Sequence, residues 1–293
     1  MSADDGSHRD AFEVVPTESG ALAMRCRTTS EIMHPEVGPA IEAAQLYVEP
    51  SHLRARLLER GTEPVTVLDV GLGAGSNALA AWRVAEALAP PARRLELVSF
   101  DRTLDPLRLA ASPAHAAAFG IDEAAQEAIA ALCALGRHES ARCDWRLQLG
   151  DLLPALAREP AHAAHIVFWD PFSPRASPAL WSIGAFVALR RLCREGATVH
   201  TYSRAPATRV ALLLAGFYVG LGPPSGRKHK PTTLAATALR SLAQPLDGTW
   251  LARLATSRLP LPCDAPPDAL AQLARHAQFA AAPSEAGAER PIA

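Results

Sequence analysis

The sequence predicts an α/β protein built on a doubly wound, Rossmann-like sheet, and three observations predict it. Val65-Thr-Val-Leu-Asp-Val70 is a short β-branched run of the kind that is buried on both faces of a sheet. Gly71, Gly73 and Gly75 follow at once, and an Ala-rich helical segment follows them. Apolar runs that end in an acid recur at residues 95–101, 145–151 and 165–170. Strand, glycine turn and helix form the first unit of a nucleotide-binding domain. Glycine there lets the ligand approach the backbone, and the helix offers free N–H groups.

The spacing of the turn narrows the nucleotide. A dinucleotide fingerprint reads G-x-G-x-x-G with a pyrophosphate over the helix N-terminus. Here the spacing is G-x-G-x-G, and Asp69 precedes it inside the strand end. A carboxylate beside the turn repels a pyrophosphate and attracts a cation. S-adenosyl-L-methionine carries an ammonium and a sulfonium and no phosphate, so the run 69–77, ending in Asn77, is similar to motif I of class I methyltransferases. The expected sheet is therefore the seven-stranded class I methyltransferase sheet.

The elements follow in order. Residues 12–15 and 21–26 flank Thr17-Glu-Ser-Gly20 as a β-hairpin. Residues 30–49 carry two prolines and a glycine, then a short helix from about Pro39; several acids and His34 suit either a lid over the site or a solvated connector. Residues 51–60 read as a helix with Leu53, Leu57 and Leu58 on one face. Residues 78–88 form the first crossover helix, and residues 95–101 the second strand. Asp101 at its end, past the glycines, suits the ribose hydroxyls of an adenosine. Helices over 104–111 and 123–136 follow, the latter long enough to mark an insertion. Residues 145–151 form the third strand, ending in Asp151, and His165-Ile-Val-Phe-Trp-Asp170 the fourth. Ser177 as N-cap and Pro178 at N1 start a helix that ends before Gly196. Residues 197–202 form the fifth strand, and a helix over 207–215 stops at Gly216. Residues 217–221 and 232–237 form the antiparallel final pair around a basic loop. Pro-rich sequence with two weak helical patches, 250–254 and 269–277, follows residue 240.

Three regions are thus expected: 1–60, hairpin and lid segment; 61–240, the S-adenosyl-L-methionine-binding domain; 241–293, a Pro-rich extension, partly disordered, as are residues 1–10. The 293 residues are 49% hydrophobic and carry a formal net charge of −1, so no global basic field binds nucleic acid. The five cysteines show neither C-x-x-C nor a paired His spacing, which argues against a metal and a disulfide framework and fits a reducing cytoplasm. The first ten residues are polar and acidic, unlike a signal peptide, and no apolar run is long enough for a membrane span.

The loop after the fourth strand is more specific. Asp170-Pro-Phe-Ser-Pro-x-x-x-Pro-x-x-Trp181 closely resembles the signature of the MnmC methyltransferase-domain family. Thr201-Tyr-Ser203, Ala215-Gly-Phe-Tyr-Val219 and Gly226-Arg-Lys228 match further landmarks, and Glu31-x-x-His34 with Glu49 resembles its N-terminal segment. The resemblance runs from about residue 20 to about residue 238. It implies methylation of the aminomethyl group on the wobble uridine of tRNA, with S-adenosyl-L-methionine as cofactor. It also implies that Asp151 meets the adenine amino group. No second glycine fingerprint follows within these residues, so no FAD domain is expected in this chain and a stand-alone methyltransferase is. The basic run Arg-Lys-His-Lys-Pro departs from the family, which more often has an acid after the basic pair.

Methyl transfer to an amine needs alignment, desolvation and a neutral nitrogen. Asp170 at the mouth of the fourth strand is the candidate to hold the amine and accept its proton; capping the next turn is the structural alternative. Phe172, with Pro174 beside it, is a candidate to stack on uracil or to pack the core. Trp181 reads chiefly as core. Arg227, Lys228 and Lys230 either meet tRNA phosphates or form a solvated loop. Glu31 and Glu49 are candidates for the cofactor's ammonium. Competing functions are an aminopropyltransferase, which the Pro-rich loop with Arg175 disfavours, a methyltransferase on a small-molecule or protein amine, and a non-catalytic protein that binds the cofactor or RNA.

Overall fold

The computed structural model describes residues 11–34, 38–225, 230–257 and 259–280. Strands β3 (Val65–Val70), β4 (Leu95–Asp101), β6 (Cys143–Leu149), β7 (Ala164–Trp169) and β8 (Cys193–Thr201) are parallel neighbours. Strand β5 (Arg137–Glu139) joins one edge, and β9 (Tyr218–Ser225) and β10 (Lys230–Ala236) the other, all antiparallel. The order across the sheet is β5-β6-β4-β3-β7-β8-β10-β9. Every residue of β3 and β7 is buried, as β-branched and aromatic runs in a two-faced sheet require. Side chains alternate between two cores: Val65, Val67, Trp145 and Phe168 on one face, Leu68, Val70, Phe100 and Trp169 on the other.

Helices α3 (Ser76–Glu86), α4 (Asp105–Ala110) and α5 (Glu123–Leu135) cover the first face, and α6 (Leu152–Arg158), α7 (Ile183–Leu192) and α8 (Pro206–Leu214) the second. A two-stranded hairpin, β1 (Phe12–Pro16) and β2 (Leu22–Cys26), packs on the first core with α1 (Pro39–Glu42), a π-helical stretch Ala43–Val48 and α2 (Leu53–Leu58).

Three expectations are corrected. The sheet has eight strands where seven are predicted. The Asp122 side chain caps α5 at the Ala125 N–H, and Gly136, left-handed at φ 68°, ends it. The chain turns there into β5, whose three polar residues have no apolar alternation to announce a strand. Arg137 grips Asp144 of β6 through two hydrogen bonds of 2.8 and 3.0 Å. The predicted continuous helix from Pro178 is split into a single 3₁₀ turn, Pro178–Trp181, and α7, because Trp181 is drawn into the core and Ser182 recaps the chain. Strand β8 consequently starts at Cys193, earlier than residue 197.

Helices α9 (Gly248–Thr256) and α10 (Ala269–Ala274) place Leu254 and Leu273 in the second core. Gln278 bonds the Val219 N–H and carbonyl and the Leu246 carbonyl. The disorder expected for residues 1–10 and the last dozen lies outside the described residues.

Candidate active site

Strand order reverses between β3 and β7, and open α/β sheets bind ligands at the carboxyl ends of such a switch point. The glycine turn after β3 and the Asp170 loop after β7 open there onto one cleft of about 2030 Å³. The turn is locked from both sides. Gly71 N–H reaches the Phe100 carbonyl at 3.0 Å, and Gly75 N–H closes back on Leu72 at 2.7 Å. Asp101 Oδ2 accepts from Gly73 N–H at 2.8 Å, while its Oδ1 accepts from the Arg102 and Thr103 N–H groups.

Glu49, Gly71, Gly73, Asn77, Asp101 and Asp151 all line the cleft. Asp151 is largely exposed and pairs with Arg102 at 2.9 Å. Gly75 sits behind the wall as the left-handed N-cap of α3. Asp69 lies beneath the turn with no exposed surface, and it is not among the lining residues. Its Oδ2 accepts from Ser99 Oγ at 2.8 Å, Ser99 in turn accepts from Trp145 Nε1, and its Oδ1 has no hydrogen-bond partner among the described residues. Burial lifts the Asp69 carboxyl to about 7 against the Ser99 bond.

Asp170 is held at the lip of β7. Its N–H donates to Val70 O at 2.8 Å, and its Oδ2 accepts from Asn77 Nδ2 at 2.7 Å. Burial raises its pKa to about 6; His34 lowers it, Glu42 raises it, and Tyr47 and Asn77 lower it by favouring the ionised form. The rest of the loop is pinned at three points. Trp181 Nε1 donates to Phe172 O at 2.8 Å, Tyr202 hydroxyl to Pro171 O at 3.0 Å, and Ser173 N–H to Glu31 Oε2 at 3.0 Å, with Ser173 hydroxyl on Glu31 Oε1 as well. Phe172 is half-buried at the cleft wall, and Pro174 is half-buried and not among the lining residues. Arg227 and Lys228 lie outside the described residues.

Sequence reasoning missed the groups that surround Asp170 from the N-terminal side. His34 Nδ1 faces Glu42 Oε1 at 3.2 Å, and its Nε2 faces Asp170 Oδ2 at 3.8 Å. Tyr47 is fully buried, and its hydroxyl faces Asp170. Their signal was faint: acids and a histidine in a Pro-broken segment. Glu31 is spent on Ser173, and Glu18, Glu42, Glu49, Asp101, Asp151 and Asp170 stand with Arg102 and Arg204 along the cleft. That acidic balance and the open glycine cradle fit a cationic, phosphate-free nucleoside. Among the described residues no cluster could hold a metal ion, and no helix is long and apolar enough to cross a membrane.

Comparison with known proteins agrees with this site. Residues 123–237 match a family model described as S-adenosyl-L-methionine-dependent methyltransferase. The tRNA 5-methylaminomethyl-2-thiouridine biosynthesis bifunctional protein MnmC of Methylibium petroleiphilum is 32% identical over 238 residues, 78% of this chain and 35% of that protein. Its counterpart in Ralstonia nicotianae is 34% identical over 193 residues, 60% and 27% respectively. The chain thus spans about a third of the length of the curated relatives it matches. The solved structure of MNMC2 from Aquifex aeolicus shares the fold, with a TM-score of 0.68 at 24% identity over 90% of this chain and 85% of that one. The chain is similar to MnmC proteins, its residues 123–237 match an S-adenosyl-L-methionine-dependent methyltransferase family, and its fold is that of class I methyltransferases.

Proposed function

We propose that the chain methylates a primary alkylamine, the aminomethyl group on the wobble uridine (position 34) of tRNA. The observation that carries this reading is Asp170: a carboxylate only 10% exposed at the switch point, beside the glycine turn, with Oδ2 fixed by Asn77. Relatives whose name states 5-methylaminomethyl-2-thiouridine biosynthesis in tRNA support the acceptor. A tRNA acceptor implies a cytoplasmic site of action.

In this reading Gly71 and Gly73 give the backbone approach that the nucleoside needs. Asp101 takes the ribose hydroxyls, Asp151 the adenine amino group, and Glu49 the ammonium end, while Asp69 adds negative charge from below the turn. Bound S-adenosyl-L-methionine supplies an electrophilic methyl on a sulfonium. The acceptor arrives as an ammonium, as alkylamines are near neutral pH. Asp170 takes one of its protons and leaves the nitrogen lone pair free to attack in line. Phe172 stacks on the uracil, Pro174 stiffens the loop, and Arg227 and Lys228 meet backbone phosphates.

The test is incubation of the purified protein with methyl-labelled cofactor and bulk tRNA from a strain that lacks the wobble-uridine methylation, with Asp170→Asn alongside. Label in the wobble nucleoside, reduced at least ~100-fold in the variant, is the expected result. Binding of the cofactor without label in that tRNA overturns the acceptor.

A further inference from the structure

Asp170 stands among acids. Asp69 of β3 lies below it, and Glu42 of α1 lies across from it. A buried carboxylate with carboxylate neighbours keeps its proton, and a protonated Asp170 cannot accept one from an ammonium. A countercharge is therefore required, and the described residues offer one within reach. His34 sits between the two acids, its two nitrogens each within ion-pair distance of a carboxylate oxygen, 3.2 Å to Glu42 and 3.8 Å to Asp170. An imidazole with both nitrogens against acceptors is suited by its doubly protonated form. All three side chains are 10–15% exposed, so water screens the pair little.

The backbone supports the placement. His34 holds a left-handed φ of 55°, a conformation that persists in a non-glycine residue where the surroundings impose it. On one side Met33 N–H bonds Met24 O of β2 at 2.8 Å. On the other, Glu31 holds Ser173, three residues beyond Asp170. The segment that carries His34 is thus tied both to the hairpin and to the loop whose first residue it faces. Among the described residues the remaining polar groups around Asp170 are uncharged: Tyr47 from the π-helical stretch, Asn77 from α3 and Tyr202 from the end of β8.

We propose that His34 is a positioning residue, a buried cation that keeps Asp170 ionised and anchors its Oδ2, leaving Oδ1 to face the acceptor amine. The proposal rests on the reading of Asp170 as the group that receives the amine's proton. Burial disfavours a charged His34, but Glu42 and Asp170 outweigh it and raise its pKa to about 9. No redox step or further reactant is involved: one proton moves from the substrate ammonium to Asp170, and His34 keeps its own.

The experiment follows the Asp170 carboxyl by carbon NMR in protein labelled at aspartate Cγ, with the signal assigned from Asp170→Asn. The variants are His34→Gln, His34→Lys and Glu42→Gln. Cofactor affinity by calorimetry reports that each is folded. The titration midpoint of Asp170 is expected to rise by about one to three units in His34→Gln, to return toward the parent in His34→Lys, and to fall in Glu42→Gln. The acidic limb of kcat/KM is expected to move with it, while KM for the cofactor stays put. A merely structural histidine would lower activity without moving the limb, and Lys would not rescue it. An unmoved Asp170 midpoint in His34→Gln overturns the proposal. A midpoint that moves while the limb stays supports the clamp and overturns instead the role of Asp170 as base.

Discussion

Gly71 shows at the scale of one residue why the site needs its sequence. Its φ is +88°, and a Cβ there would overlap the Asp170 backbone carbonyl, which cannot retreat because Asp170 N–H is bonded to Val70 O. Gly75 has a similar φ of +87°, but a Cβ there meets Leu107 Cδ1 at 2.8 Å, the end of a side chain that can rotate. Gly71→Ala is therefore expected to lose about 2 kcal/mol or more and most of its cofactor affinity, and Gly75→Ala about 1–2 kcal/mol. Thermal unfolding and calorimetric titration check both, and equal losses would refute the ranking. The glycine turn was legible because its chemistry is written in consecutive residues. The ring around Asp170 was not. Glu31 and Ser173 are 142 residues apart, and nothing in either neighbourhood marks the contact. His34, Glu42 and Tyr47 converge only after α1 and the π-helical stretch have folded, and the extra residue in that helical turn defeats a 3.6-residue reading.

At the scale of elements, legibility followed apolar content. β3 and β4 are runs of Val, Leu and Phe and announce themselves, whereas β5 exists by pairing with β6 and by the Arg137–Asp144 bond. The two C-terminal helices were visible as weak patches, but their docking was not. It depends on single side chains, Leu254, Leu273 and Gln278, spread through Pro-rich sequence. Gln278 is the polar part of that dock. Its amide makes bonds of 2.8, 2.7 and 2.8 Å to Val219 N, Val219 O and Leu246 O, closing the edge of β9. Gln278→Ala takes this partner from the Val219 N–H and the Leu246 carbonyl, while Val219 O keeps the Leu246 N–H at 2.9 Å, and is expected to cost about 1–2 kcal/mol in urea unfolding. Cofactor affinity should not change, because the cleft lies at the ends of β3 and β7. A loss of affinity in this variant would mean that the C-terminal helices act on the site.

For the whole molecule, buried ionisable groups set how stability follows pH. Burial, and then Arg194, Arg93 and Arg56, depress His165 to about 4; burial and then Arg56 depress His200 to about 3. Unfolding lets both take up a proton, so their contribution is present above pH 6.5 and is lost as pH falls toward 4 and 3. Asp69 and Asp170 run the other way. Raised chiefly by burial to about 7 and about 6, they favour the fold most below their ordinary carboxylate values, and that contribution is lost as pH rises through 6 to 7. Over pH 4.5–6.5 the two pairs oppose each other, and stability is expected to be nearly level. His34 then decides the neutral range. With its pKa raised to about 9, its stabilisation is complete below pH 6.5 and is lost as pH climbs to 9, a fall of about 3 kcal/mol. The Cys143 and Cys193 thiols, pushed up by burial, add their own losses, but from about pH 8.5, where unfolded thiols begin to ionise. Urea unfolding of the parent protein at pH 5, 6.5 and 8 should therefore give two similar stabilities and a lower third. His34→Gln should be less stable at pH 5 and 6.5 and should still fall by pH 8, because its raised Asp170 carboxyl loses stabilisation there; His34→Gln/Asp170→Asn removes both groups and should lose little between pH 6.5 and 8. If the double variant falls between pH 6.5 and 8 as steeply as the parent, His34 does not carry the charge that the geometry around Asp170 demands.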